Sequence, residues 1–376
     1  MPRCAFTLFT TPTTLAAKLA AAALLTLTAA GNSHAARKHH HPVKAQPVAA
    51  VEAPSYGERD DVMRFADDTA ARRELDVAWV RRTLAAARYA PAAARLIMPP
   101  PAGTAKNWAA YRARFVEPVR IRAGVAFWRA NPAWLALAEE RYGVPPAIVV
   151  GIIGVETIFG RQMGNFRVID ALATLGFDFP AGRKDRSAFF RDELEQYLLL
   201  AQREGIDPLG MRGSYAGAMG MPQFMPSSAN AHAVDFDGDG RIDLHADAAD
   251  VIGSVAHYLA AFGWQRGLPT HFEVAPPVDS ADRAFLLGPD IVPSFDAATF
   301  TERGAQLGAE ARAFDGKLAL VELQNGAAAP SYVAGSANFY AITRYNWSSY
   351  YAMAVIALGD EVMRRVAVNE STAPAR

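Results

Sequence analysis

The sequence predicts a mainly α protein of the α+β class, and three observations carry that expectation. From Asp60 to Arg203 apolar residues recur at helical spacing with few breaks. From Thr270 the pattern changes to short strand-like runs, His271-Phe-Glu-Val, Lys317 to Leu323 and Tyr332-Val, with Gly and Pro between them. Helical spacing then returns from Ala352 to Val366. Of the 376 residues 51% are apolar, enough for a large core or for two to three packed subdomains. Lys plus Arg and Asp plus Glu both number 38, so the formal net charge is zero and no nucleic-acid partner is expected. A single cysteine, Cys4, leaves neither a disulfide framework nor a cysteine metal site.

Residues 1–35 read as a secretory signal peptide. Arg3 and Lys18 precede or enter the apolar run Leu19 to Ala30, and Ser33-His34-Ala35 has the small-x-small form of a cleavage signal. The run is shorter than the ~20 apolar residues of a membrane span. A retained anchor is the alternative. Cys4 lies before the run, where a lipid-acceptor cysteine would have to follow it, so no lipoprotein is expected. The mature chain should be soluble in an oxidising extracytoplasmic space, the periplasm, and a monomer. Residues 36–59 read as a disordered linker. Its Arg37-Lys38-His39-His40-His41-Pro42 is more simply a basic leader than a metal site.

Residues 60–145 form a helical region. Phe65, Leu75, Val77, Trp79, Val80 and Leu84 supply its first apolar positions. Pro99-Pro100-Pro101 interrupts it, Trp108 to Phe115 resumes it, and Val125 to Tyr142 is expected as one helix.

The next region, 146–268, carries the chemistry. A helix beginning near Pro145 runs through Gly151-Ile-Ile-Gly-Val-Glu-Thr-Ile-Phe-Gly160. Its one charge, Glu156, shares a helical face with Ile152, Ile153, Phe159 and Gly160. A carboxyl on an apolar stripe is held toward its neutral form, which suits a general acid at neutral pH. The plainer reading is a Glu that reaches water past Gly160. Val168 to Leu175 reads as a short amphipathic helix, Arg183 to Arg186 as a basic turn, and Phe189 to Arg203 as a strong helix.

Gly213 to Pro226, with three glycines and two prolines, suits neither helix nor strand and reads as a binding loop. Asp235-Phe-Asp-Gly-Asp-Gly-Arg-Ile-Asp243 is a Ca²⁺ loop signature of EF-hand type. Asp235, Asp237 and Asp239 offer oxygens at positions one, three and five, Gly240 the turn, and Arg241 a backbone carbonyl. Position twelve is Ala246, so Asp247 or Asp250 must close the shell, and we place Asp250 there. Val251 to Phe262 is the exit helix.

Residues 269–335 read as a small β-containing subdomain, 336–366 as a binding segment with a closing helix, and 367–376 as a tail. Asn338 to Tyr351 interleaves aromatic rings with Arg344 and Asn346, a combination that suits sugar recognition. A buried Asn346 amide requires a partner, either a ligand or a backbone group.

These motifs together resemble the lytic murein transglycosylase B family. The matching pieces are Gly-Val-Glu-Thr at 154–157, Gly213 to Ser228, the loop from Asp235 and Asn338 to Asn346, in the family's order. The resemblance implies a lysozyme-like core with an added helical domain and a small β-rich domain. It implies that Glu156 is the catalytic acid/base. It places Tyr111, Arg186, Ser214, Gln223, Phe224, Tyr345, Asn346 and Tyr351 along the substrate groove. The match at Arg186 is looser, because the basic turn is longer here. The implied reaction cleaves the β-1,4 bond between N-acetylmuramic acid and N-acetylglucosamine in peptidoglycan and leaves a 1,6-anhydro end. The alternatives are a hydrolytic muramidase or a non-catalytic peptidoglycan-binding protein. Asp170, Asp178 and Glu193 leave a second carboxylate open at this point.

Overall fold

The computed structural model describes residues 55–99 and 106–371. The expected signal segment, the expected linker up to residue 54, residues 100–105 and the last five residues lie outside that range. Among the described residues no helix is long and apolar enough to cross a membrane.

The chain opens with the helical hairpin α1 (Asp60–Arg73) and α2 (Val77–Ala85). Asp76 caps α2 by accepting from the Trp79 N–H at 2.5 Å, which satisfies one of the unpaired donors of the first turn. Then follow α3 (Pro91–Leu96), α4 (Trp108–Phe115), α5 (Pro118–Ala130) and α6 (Pro132–Tyr142). The single helix expected over Val125 to Tyr142 is therefore two. Asn131 leaves the helical region at φ −131° and Pro132 begins the next helix. Proline lacks an N–H and crowds the preceding turn, so it can start a helix there but not continue one.

Helix α7 (Pro146–Thr157) runs through the centre of the molecule. Every residue from Ala147 to Val155 is buried, as is Thr157. After it come β1 (Phe166–Arg167), α8 (Val168–Phe177), α9 (Ser187–Arg203), β2 (Arg212–Gly213), α10 (Pro226–His232) and α11 (Ala248–Ala261), of which α11 packs on α7. The expected apolar face of α9, Leu194, Tyr197, Leu198 and Ala201, is buried.

The β-containing part comprises β3 (His271–Ala275), α12 (Ser280–Leu287), α13 (Ala297–Glu302), β4 (Gln306–Leu307), α14 (Ala309–Arg312), β5 (Ala319–Asn325) and β6 (Ala328–Gly335). Its strands form an antiparallel sheet in the order β4-β3-β6-β5, with Val321 opposite Val333 and Phe272 opposite Ala334. Because side chains alternate along a strand, β5 serves two cores. Ala319, Val321 and Leu323 join the main core, while Leu318 and Leu320 join a smaller one with Leu286, Phe300 and Leu307.

Helices α15 (Ala337–Tyr345) and α16 (Ser349–Ser371) end the fold. Helix α16 lies directly on α7. A Cβ added at Gly151 would collide with the Val355 carbonyl, and one at Gly359 with the Ala147 carbonyl. The two backbones touch at a distance that only glycine permits.

Candidate active site

Glu156 sits in the last turn of α7, which ends at Thr157. The expected face-mates Phe159 and Gly160 therefore lie beyond the helix. Ile158 and Phe159 both take positive φ, 51° and 56°. Each such residue costs about 1–3 kcal/mol and persists only where its surroundings fix it. Ile152 and Ile153 are fully buried, as expected.

The Glu156 side chain keeps partial exposure while protein surrounds it. Burial pushes its pKa up to about 7, against the opposing pull of the Tyr351 hydroxyl, which donates to Oε1 at 2.6 Å. No second carboxylate enters that balance. Asp170 accepts from the Arg88 N–H and pairs with Arg167. Asp178 takes the Arg59 guanidinium and the Tyr56 hydroxyl. Glu193 accepts from both the N–H and the hydroxyl of Ser227.

Four tyrosines feel the charge of Glu156, which raises each of their pKa values: Tyr111, Tyr258, Tyr345 and Tyr351. Burial is the larger cause in all four. Tyr345 and Tyr351 stack with centroids 6.3 Å apart and planes at 14°. The Tyr345 hydroxyl donates to the Pro222 carbonyl at 2.6 Å and so joins α15 to the glycine-rich loop. Tyr258 packs on Tyr345 at 4.7 Å and donates to the Arg344 carbonyl. Sequence reasoning missed Tyr258. It occupies an ordinary apolar position of α11, and nothing local distinguishes it from core.

The glycine-rich loop brings Ser214, Gln223 and Phe224 into the fold in different roles. The Ser214 hydroxyl accepts from the Ala216 and Ala218 N–H groups and closes the turn. Gln223 has φ 54°, and its amide donates to the Gly220 and Met163 carbonyls at 2.9 and 3.2 Å. Phe224 is only 2% exposed, between Tyr258 and Tyr345. It backs the tyrosines, and Tyr351 is buried to the same degree. Asn346 follows α15, and its Oδ1 is buried without a hydrogen-bond partner among the described residues. No backbone group takes that oxygen. Arg186 lies over Phe189 and Phe190 at the start of α9, outside the tyrosine group.

The acidic loop is a second concentration of charge. Asp235, Asp237 and Asp250 each bring a carboxylate oxygen to within 4.8 Å of the others. Asp250 is buried and accepts from the Phe236 and Asp243 N–H groups at 2.8 and 2.7 Å. Asp247 instead caps α11 through the Ala249 and Asp250 N–H groups. Of the two candidates to close the shell, Asp250 thus joins the group. Asp239 stands outside that triad and accepts from the Arg241 N–H at 2.8 Å. Arg241 is exposed, and Gly240 makes the expected sharp turn at φ 88°. An all-oxygen set with three carboxylates fits a hard divalent cation such as Ca²⁺.

Known proteins are similar to this one over most of the chain. The family described as Transglycosylase SLT domain matches residues 57–360. The membrane-bound lytic murein transglycosylase B of Escherichia coli (strain K12) is 39% identical over 315 residues, which are 82% of this chain and 84% of that protein. The X-ray structure of the catenated lytic transglycosylase SltB1 from Pseudomonas aeruginosa has a TM-score of 0.75 and 40% identity, covering 83% of this chain and 100% of that one. The Escherichia coli lytic transglycosylase Slt35 in complex with calcium has a TM-score of 0.71 and 36% identity, covering 86% and 99%. The mainly α architecture with a lysozyme-like core is that of these neighbours. With a family match across residues 57–360 and this identity to its relatives, the chain belongs to the transglycosylase SLT domain family.

Proposed function

We propose that this peptidoglycan lytic transglycosylase works through Glu156 as its one acid/base. Its substrate is the β-1,4 bond between N-acetylmuramic acid and N-acetylglucosamine. Neutral Glu156 protonates the leaving oxygen. The acetamido group of the muramic acid assists from within the substrate. The Glu156 carboxylate then draws the proton from the C6 hydroxyl, which closes onto C1 to give the 1,6-anhydro end. No water is consumed. The observation that carries this reading is the solitary state of Glu156. Most glycosidases use two carboxylates, and a hydrolytic muramidase would need a base or nucleophile opposite the acid. Asp170, Asp178 and Glu193 are each engaged elsewhere. A pKa of about 7 suits a group that must give a proton and then take one.

Tyr111, Tyr345, Tyr351, Asn346, Gln223 and Ser214 would shape the groove, the last two through the loop backbone. Asp235, Asp237 and Asp250 would hold Ca²⁺, with the Arg241 carbonyl as a further oxygen and Asp239 reaching it by a shift of the loop. Bound there, the ion would fix the loop and take no part in bond cleavage. A relative of 36% identity solved in complex with calcium supports this. The cell wall as substrate supports a periplasmic location.

Product analysis on purified sacculi tests the reaction. An anhydro end is one water lighter than a reducing end. We expect the lighter product throughout, and reducing ends from the purified protein would replace transglycosylation with hydrolysis.

A further inference from the structure

Thr157 follows the acid directly, is fully buried, and has its hydroxyl occupied on two sides. It donates to the Met221 carbonyl at 2.9 Å and accepts from the Gly160 N–H at 3.0 Å. A helical threonine commonly turns back to the carbonyl four residues earlier. Here that oxygen, on Ile153, lies at 3.4 Å and is the weaker partner. The Thr157 carbonyl meanwhile accepts from the Gln162 N–H at 2.9 Å. One residue therefore takes two of the N–H groups of the turn that follows the catalytic helix, those of Gly160 and Gln162.

That turn holds two successive non-glycine residues at positive φ, Ile158 and Phe159. A β-branched residue in this region is a genuine outlier. The turn folds the Phe159 ring back against α7, where a Cβ added at Gly154 would meet it at 2.9 Å. It also ends the helix one residue after Glu156, which leaves the acid on a helix terminus and not in its middle. Strain of this kind needs a fastening, and the Thr157 hydroxyl supplies one.

The partner at the other end is as informative. Met221 belongs to the glycine-rich loop, two residues before Gln223. Its carbonyl is taken by Thr157, and its N–H donates to the Leu244 carbonyl at 2.8 Å. Leu244 follows Asp243, whose N–H is held by Asp250. Met221 is thus tied to the acid's helix on one side and to the acidic loop on the other.

We propose that Thr157 is a positioning residue for the reaction. Its hydroxyl locks the strained end of α7 to the glycine-rich loop and so fixes the Glu156 carboxyl relative to the sugar that the loop holds. The inference rests on Glu156 being the acid/base. Thr157→Val keeps the shape and removes the hydroxyl, while Thr157→Ser keeps the hydroxyl and removes a methyl. Measured beside them, Glu156→Gln separates the two levels of the argument. If Glu156→Gln retains activity, the underlying assignment fails. If Glu156→Gln is dead and Thr157→Val turns over like wild type, only this inference fails. We expect Thr157→Val to lower kcat about tenfold, the size of one lost hydrogen bond, with KM little changed. Loosening the turn admits water beside Glu156, so the alkaline limb of the pH profile should move to lower pH. Thr157→Ser should retain most of kcat and the wild-type profile. Equal losses in both variants, tracking the melting temperature with an unmoved profile, would reduce Thr157 to core packing and overturn the proposal.

Discussion

The molecule holds two carboxylate sites that differ in the company their oxygens keep. Glu156 stands alone at the end of an apolar helix, meets one hydroxyl, and has its pKa pushed up by burial. The acidic loop gathers Asp235, Asp237 and Asp250 and meets their oxygens with backbone N–H groups, as when Asp235 accepts from Gly238, Asp239 and Gly240. Burial raises the Asp250 carboxyl too, against the pull of its two N–H donors, so the sites differ in the number and kind of partners and not in the direction of that shift. The same functional group thus stands alone in one place and converges with its like in the other. Environment, not residue type, divides the labour.

The largest test removes the proton carrier. Glu156→Gln keeps the shape and should cost at least ~10² to 10⁴ in rate, with the fold intact. The sign on stability also follows. A carboxyl whose folded pKa lies near 7, above its unfolded value, costs nothing below the unfolded value; the cost grows as pH rises between the two values and is constant above about 7. Glu156→Gln should therefore melt higher than wild type above pH 7 and nearly alike at pH 4. Wild-type activity should decline as pH rises through about 7, where the acid form is lost. A glutamine variant that clears sacculi at the wild-type rate would end the contrast.

The loop should respond in stability and not in chemistry. A ligand that binds only the folded state adds about 2.7 kcal/mol at a hundredfold excess over its dissociation constant. Added Ca²⁺ should raise the melting temperature and chelator should lower it, with turnover at low temperature largely kept. A melting temperature indifferent to both would count against the metal site.

The smallest effect sharpens the first site. Tyr351→Phe removes the hydrogen bond that favours ionised Glu156. Its loss should raise the Glu156 pKa further and move the alkaline limb to higher pH. The cost in kcat should be about tenfold, as for one hydrogen bond to a charged group. A profile that moves down would show that Tyr351 acts by some other route.

Much of this was legible in the residues, and the failures have physical causes. Pro145 and the unbroken apolar run announced α7, and the isolation of Glu156 within it announced the site. The helix end was not legible, because nothing in Ile158-Phe159 favours positive φ. The packing of Phe159, the Thr157 hydrogen bonds and the bonds from the Ile158 and Phe159 N–H groups back to α7 impose it. The Asn131-Pro132 break was available as a proline signal and was overridden by the apolar spacing around it. Asp250 could not be separated from Asp247 without the cap that Asp247 provides. Phe224 sits in a loop whose composition suits binding, but sequence gives no sign of which way a loop ring faces. Tyr258 shows the converse, a ring on a core helix that reaches the charge of Glu156.

The close crossing of α7 and α16 has a consequence in time. The ribosome makes α16 last, about two hundred residues after the acid it serves. Until then Gly151 has no neighbour to admit, and Glu156 has no Tyr351 to meet. A nascent or truncated chain that stops before Ser349 carries the acid without its partner. The surroundings of the acid are therefore completed last, when the helix that packs on α7 and the hydroxyl that meets Glu156 arrive together.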